Sequence, residues 1–329
     1  MSTDMALVQA YLANVQMALQ NLDVTRAETL LESVQKFLMP SGVTLPSHPP
    51  MHISVGIGLD TGLQRKGKPN EDFAFATTGQ NMQMQETYGL FVIADGMGGH
   101  ANGRVASGLA TETIVNTMLP FLHHEQVKFS ELGQRLLGAV THANNLIFAR
   151  NREVAASRLL AQMGTTVTAG VVFGPHAFIV NVGDSRTYLY RPGVGLRVVT
   201  HDHSRVADLV ARGDLAPEAI YTHPERHKIY RSLGAAATVK ADLFYEQLQD
   251  SDILMFCSDG VWEMTRDEKI EQVLAVPLSA KSMAEHIAQL AIQGGGLDNI
   301  GLVISQFQMN VAGMQTIEIP PMPASIAVA

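Results

Sequence analysis

Residues 88–107 constrain this chain most. An apolar, β-favouring run over 90–94 predicts a buried strand. It stops at Asp95, and Gly96, Gly98 and Gly99 follow before an apolar helical pattern begins. A carboxylate at a strand end beside bare backbone suits a hard cation. Asp95 offers charged oxygens, and Gly96 lets an ion approach its carbonyl. Two other readings fit the same residues. Asp-Gly alone makes a strand-to-helix turn, and Gly96-x-Gly98-x-x-Ala101 fits the relaxed dinucleotide fingerprint. The dinucleotide reading is weakened by Asp95, which stands where a pyrophosphate would lie, so that two anions repel. Metal site and turn remain open on this stretch alone.

The rest of the chain narrows the choice. Its 329 residues allow one large core, or one domain with an appendage. With 16% charged residues and a net charge of −8, nucleic acid is not an expected partner. The one cysteine, Cys257, cannot pair within the chain, as expected of a reducing compartment. No apolar run is long enough to cross a bilayer and no signal-peptide pattern opens the sequence, so the expectation is a soluble, cytoplasmic protein without membrane contact.

Residues 1–39 read as a separate helical hairpin. Leu7, Val8, Tyr11, Leu12, Val15, Ala18, Leu19 and Leu22 repeat at helical spacing, as do Ala27, Leu30, Leu31, Val34, Phe37 and Leu38. Thr25-x-x-Glu28 forms a capping box for the second helix. The apolar faces must bury against the main domain, a second copy or a protein partner. Residues 40–51, rich in proline, read as a linker. From residue 52 the pattern becomes strand-like: Ile53, Val55, Ile57 and Leu59 alternate. A basic turn carrying Arg65, Lys66 and Lys68 leads to Asn70-Glu71-Asp72 and a further strand over 73–77. Helices are expected over about 105–123 and 130–162, and strands over 167–173, 178–182, 187–190, 253–257 and 300–305. A polar insert spans 202–234, and Ser282-x-x-Glu285 reads as a helix cap. A flexible tail is expected over 308–329.

Asp95, Asp184, Asp259 and Asp298 each stand at the end of a predicted strand, and Asp72 lies just before one. Any single one is more often a turn former. Five placed alike, three of them beside glycine, point to a shared role. Carboxylates with a backbone carbonyl and water suit Mg²⁺ or Mn²⁺; zinc prefers His and Cys. Two such ions can clamp a phosphoryl group.

In order and spacing, the sequence resembles the metal-dependent Ser/Thr protein phosphatases of the PP2C (PPM) family, bacterial type, over about 52–307. The matching residues are Asn70-Glu71-Asp72, Asp95-Gly-Met-Gly-Gly-His100 with Gly103 and Ser107, Met163-Gly-Thr-Thr166, and Gly183-Asp184-Ser-Arg186. The match continues through Asp202-His-Ser204, His223-Pro224, Leu233-Gly234, Ser258-Asp259-Gly260 and Asp298-Asn299. The resemblance implies an α+β fold, an α-β-β-α sandwich of two antiparallel sheets flanked by helices. It implies hydrolysis of phosphoserine and phosphothreonine in phosphorylated proteins by a metal-bridged hydroxide, with two core Mg²⁺ or Mn²⁺ ions. Asp95 would bridge them, the Gly96 carbonyl would serve one, and Asp259 and Asp298 the other. Glu71 and Asp72 would act mainly through water, Asp184 would help hold a third, weaker ion, and 202–234 would form a substrate flap.

The sequence departs from the family pattern in three places. The family's phosphate-contacting Arg falls three residues before the Asn, at Gly67 here; a longer loop would have to deliver Arg65, or Lys68 would serve as a point charge. Met97 replaces the general-acid His of eukaryotic members, as is common in bacterial ones. Gly301 stands where Thr is usual, a change expected to be tolerated. The rival function is a catalytically weak, phosphopeptide-binding regulator of the same fold. A thiolate phosphatase is disfavoured because Glu263 stands six residues after Cys257, where the phosphate-holding Arg would be. His201 and His203 alternate on one side of an extended segment, but no third soft ligand accompanies them.

Overall fold

The structure, a computed structural model, describes residues 51–98, 102–157, 162–309 and 326–328. The hairpin expected over 1–39, with its expected capping box, and all of the expected linker but Met51 lie outside the described residues, as does His100. In chain order the elements are β1 (Met51–Asp60), β2 (Asp72–Gln80), β3 (Thr87–Met97), α1 (Asn102–His124) and α2 (Phe129–Ser157). β4 (Gly164–Thr165), β5 (Val167–Phe173), β6 (His176–Val182), β7 (Arg186–Arg191) and β8 (Gly195–Val198) follow. Then come α3 (Arg205–Ala211), β9 (Asp242–Gln247), β10 (Ile253–Cys257), α4 (Asp259–Thr265), α5 (Asp267–Leu274), α6 (Ala280–Gln293), β11 (Ile300–Met309) and β12 (Ile326–Val328).

The strands form two antiparallel sheets. One runs β1-β11-β10-β7-β8; the other runs β12-β2-β3-β5-β6-β9, with β4 paired to β3. Their central strands are apolar on both sides, and the period of two sorts the side chains between cores. In β3, Leu90, Val92 and Ala94 face α1 and α2, while Phe91 and Ile93 face the other sheet. In β10, Ile253, Met255 and Cys257 pack on α4, α5 and α6, while Leu254 and Phe256 point between the sheets. Phe91 and Phe256 meet there, ring centroids 5.5 Å apart. Three cores therefore separate four layers, the α-β-β-α sandwich expected.

Several local expectations change. The strand carrying Asp95 runs on through Gly96 to Met97, because Gly96 and Met97 find partners in Thr165 and Gly164. The helix expected to start at Ser282 starts a turn earlier: Ser279 is the N-cap, and its hydroxyl accepts the Ser282 N–H at 3.1 Å. Gln308 and Met309 complete β11 instead of opening a tail, and Ile326–Val328 pairs antiparallel with Ala74, Phe75 and Ala76 at the edge of β2. Within 202–234, Ser204 caps α3, Pro217–Tyr221 forms a 3-10 turn, and bridges Ser204–Ile229 and Thr165–Leu233 tie the segment down.

Candidate metal centre

The acids meet at one end of the sandwich, where strands from both sheets finish. Asp72, the first residue of β2, is the cross-strand partner of Asp95 in β3. Asp259 opens α4 after β10, Asp298 lies just before β11, and Asp184 sits in the β6–β7 turn, where Gly183 takes φ +108°. The backbone of Asp95 is fixed on both sides: its carbonyl accepts from Thr166 N–H at 2.9 Å and Thr165 Oγ1 at 2.8 Å. Asn70 Oδ1 holds the Asp72 N–H at 2.9 Å, and Asn299 Oδ1 holds the Glu71 N–H at 2.8 Å, so two asparagines fix the loops that carry the acids.

Asp95 is the electrostatic centre. Burial raises its pKa well above the usual carboxylate range, and the charges of Asp72, Asp259, Asp184 and Asp298 push it further. Burial pushes Asp72 up to about 7, reinforced by Asp259 and Asp298 and opposed by the Ser258 hydroxyl, which donates to Asp72 Oδ2 at 2.6 Å. Asp259 rises to about 6, from burial first and then Asp298. Asp184 is raised by burial and then by Asp259. Asp72 Oδ1 and Asp259 Oδ1 are buried without a hydrogen-bond partner. Mutually repelling carboxylates with orphaned oxygens carry a high cost that a bound cation relieves. The donor set is all oxygen, and it fits divalent ions of the Mg²⁺ or Mn²⁺ type.

Glycine makes the backbone part of this set. A Cβ on Gly96 would run into the Gly103 carbonyl oxygen. One on Gly103 would stand 2.6 Å from both the Gly96 carbonyl oxygen and Glu71 Oε1, plugging the approach to both. Gly301 has a role beyond being tolerated: a Cβ there would lie 2.9 Å from Asp72 Oδ2, so its absence gives Asp72 its place against Ser258.

Arg65 reaches the cluster. Its NH1 donates to Glu71 Oε2 at 2.8 Å and its NH2 lies 2.8 Å from Asp298 Oδ1. Lys68 does not: it is exposed and forms no ion pair with a described residue. His201 and His203 part company. His203 is buried, its Nδ1 accepting the Gly183 N–H at 3.0 Å and its Nε2 3.1 Å from Asp242, while His201 faces Asp208 at 3.4 Å. Cys257 is buried, and burial drives its thiol upward, which removes it as a nucleophile.

Two residues named in the sequence were given no role at the site. Glu263, one turn after Asp259 on α4, is buried and pushed up to about 7 by desolvation and then by Asp259; its i,i+4 spacing from Asp259 was the available signal. Arg186 grips Asp202 through Nε and NH2, the latter at 2.7 Å, and its guanidinium lies 3.5 Å from the Trp262 ring centroid. Trp262 Nε1 in turn donates to the Asp184 carbonyl at 3.0 Å, which links this pair to the acid turn.

Comparison with known proteins agrees with this geometry. Residues 61–290 match the family described as Protein phosphatase 2C. The serine/threonine protein phosphatase PstP of Mycobacterium tuberculosis is 35% identical over 246 residues, 75% of this chain and 43% of the relative, so the chain spans less than half of that protein's length. The serine/threonine phosphatase stp of Listeria monocytogenes is 32% identical over 231 residues, 68% of this chain and 86% of the relative. Among solved structures, the Streptococcus agalactiae serine/threonine phosphatase superposes with a TM-score of 0.67 at 30% identity, covering 77% of this chain and 99% of that one. The catalytic domain of PstP in complex with two manganese ions gives a TM-score of 0.64 at 31% identity, covering 78% and 99%. The chain belongs to the protein phosphatase 2C family.

Proposed function

We propose that this chain hydrolyses phosphoserine and phosphothreonine in proteins, using Mg²⁺ or Mn²⁺. One observation carries the reading: Asp95 is held rigidly at the centre of an all-oxygen cluster whose members repel one another. Asp95, the Gly96 carbonyl, Asp259 and Asp298 are the residues that would hold a core pair of ions, with Glu71 and Asp72 behind them and Asp184 toward a third, weaker ion. Bound divalent ions at such a site lower the pKa of water and stabilise charge on phosphoryl oxygens. The chain's own groups orient the reaction. The Asn70 and Asn299 bonds fix the backbone that carries Glu71 and Asp72, and Ser258 holds the Asp72 carboxylate. Arg65 presents a planar fork over the cluster, and once its carboxylate partners are engaged by cations that fork is available to phosphate oxygens.

Phosphorylated proteins are the proposed substrates, residues 202–234 the segment that shapes their access, and residues 1–39 a surface for a protein partner or a second copy. Among the described residues no helix is long and apolar enough to cross a membrane. The intact acid set lends no support to a catalytically weak phosphopeptide-binding regulator. Turnover of an aryl phosphate and of a phosphothreonine peptide, with Mn²⁺ and after exhaustive chelation, tests the reading. Metal-dependent hydrolysis of both is expected; turnover that survives chelation, with metal content measured, overturns it.

A further inference from the structure

Strand β2 carries Asp72 at its start and lies near the margin of its sheet. On one side it pairs with β3 over its whole length; on the other, among the described residues, it meets only the three residues of β12. β12 runs antiparallel to it, with Ile326 opposite Ala76, Ala327 opposite Phe75 and Val328 opposite Ala74. This edge therefore accepts an extended segment, and the direction of that segment leads toward the acids. Continued along the same line, a seated strand comes opposite Phe73 and then Asp72, which have no strand partner on that side among the described residues. The period of two decides which way each residue faces. Ala74 and Ala76 belong to the core between the sheets, while Phe73 and Phe75 lie on the helix side. Asp72 is on the same face as the alanines, against Ser258 and Gly301. A residue opposite Asp72 thus shares one row with Asp72 and Asp95, on strands about 4.8 Å apart. A residue opposite Phe73 faces Arg104, whose guanidinium lies 5.7 Å from the Phe73 ring centroid and whose NH1 donates to the Asn70 carbonyl at 3.0 Å.

We propose that the outer edge of β2 receives a segment of the phosphorylated protein as an added antiparallel strand, in the seat that residues 326–328 hold here, and sets its phosphoresidue opposite Asp72. Strand addition draws affinity from main-chain hydrogen bonds and specificity from alternate side chains. Ala74 and Ala76 are small, which leaves room for branched apolar residues across the ladder. The preferred segment is three β-favouring residues, then an acidic residue facing Arg104, then the phosphoresidue. β12 is an internal competitor for the same edge. Tethered through residues 310–325, it acts at an effective concentration on the order of millimolar. Its ladder is only three pairs long, and a substrate segment that continues to Asp72 adds two more. The identity of the segment as substrate rests on the phosphatase reading; the docking of an extended chain on this edge does not.

The test uses the full chain with Mn²⁺ and three acetylated, amidated peptides. The first is Ile-Ala-Val-Glu-phosphothreonine-Gly. The second has one glycine inserted before the phosphothreonine, which turns the phosphate to the other face of the added strand. The third has glutamine for glutamate. Relative to the first peptide, kcat/KM is expected to fall at least about tenfold for the second, the worth of one or two ladder hydrogen bonds, and about threefold for the third. Arg104→Ala is expected to erase the difference between glutamate and glutamine; a difference that persists in that variant overturns the place given to Arg104. Ala327→Pro, which cannot complete the β12 ladder, is expected to lower KM for the first peptide and to speed hydrogen exchange over 72–76. The unphosphorylated first peptide, at millimolar concentration, is expected to slow that exchange again. Equal kcat/KM for the first and second peptides, or a KM that Ala327→Pro leaves unchanged, overturns the docking edge. Absence of metal-dependent aryl phosphate turnover, with protection of 72–76 by the peptide retained, overturns the phosphatase reading and supports the edge.

Discussion

Arg186 holds Asp202 at 2.7 Å inside the fold, and Arg65 holds Asp298 at 2.8 Å over the acid cluster. The contacts are alike in chemistry and differ in surroundings. The Arg186 pair is 7% and 5% exposed, roofed by Trp262 and extended by a bond from NH1 to the Tyr188 hydroxyl at 3.1 Å. The Arg65 pair is 30% and 37% exposed, and both of its carboxylate partners, Glu71 and Asp298, belong to the proposed metal set. A buried pair is costly to break because the survivor is an uncompensated charge in a poor solvent. A half-exposed pair can be exchanged, because water and ions compensate each half. Burial, more than the bond, separates a structural fastening from a group free to move during turnover.

The largest effect on chemistry is expected on the exchangeable side. Asp95→Asn is expected to lower turnover by on the order of 10³-fold or more while the protein stays folded, since it removes charge at the centre of the cluster. Asp184→Ala is expected to retain two tight metal sites and lower kcat less. Calorimetric metal titration beside steady-state kinetics checks both, and near-normal turnover in Asp95→Asn would sink the assignment. On the fastened side, Arg186→Ala is expected to cost about 3–5 kcal/mol in denaturant unfolding, with Lys a poor substitute because it cannot both stack on Trp262 and fork onto Asp202. A loss below about 1 kcal/mol would show that burial is not what distinguishes the pairs.

The acid cluster sets a pH dependence in metal-free protein. Asp72 and Asp259 rise in the folded state to about 7 and about 6, from an unfolded value of 3.8. Between those values the folded chain holds protons that the unfolded chain has released. Stability from this source is present in full below the unfolded value and is lost as pH rises through 6 to 7. In EDTA, Tm is therefore expected to fall between pH 5 and pH 8, and added Mn²⁺ to raise it more at pH 8. A flat profile in EDTA would mean that the carboxylates are already compensated.

Smaller effects follow at the rim. Arg65→Ala is expected to raise KM for a phosphopeptide roughly tenfold, about the worth of one charge-assisted contact, while changing stability by less than about 1 kcal/mol. Lys68→Ala is expected to leave both unchanged, and a reversed order would place the phosphate on the lysine. Removal of residues 1–50 is expected to leave turnover of a small aryl phosphate unaltered, because every candidate ligand lies beyond them. Complete loss in a folded truncation would show that residues 1–50 complete the site.

Much of this centre was legible in the chain because its acids sit where strands stop, and strand ends are written locally in apolar runs and glycines. Asp72, Asp95, Asp184, Asp259 and Asp298 all converge in the structure. The basic loop was harder: letter spacing left Arg65 and Lys68 equal, and only the path of residues 61–68 turns one inward. Arg186 and Asp202 carried family motifs but no sign that they pair, since sixteen residues and a hairpin separate them. Glu263 had a helical signal in its distance from Asp259, but its burial beside that acid is set by tertiary packing. Ser279 was missed as a cap because Ser282-x-x-Glu285 satisfies the same local rule one turn later.

The position of Cys257 has a practical consequence. It ends β10 with its side chain wholly buried, and the sequence contains no other cysteine. Alkylating dyes and spin labels, which react with accessible thiolates, will pass over it. A label can thus be installed at an exposed position of the segment 202–234, such as Thr222, by Thr222→Cys without first stripping the native thiol from the β10 core. Fluorescence or spin-label mobility would then follow the segment 202–234 as substrate or cation is added, in a chain altered at a single position.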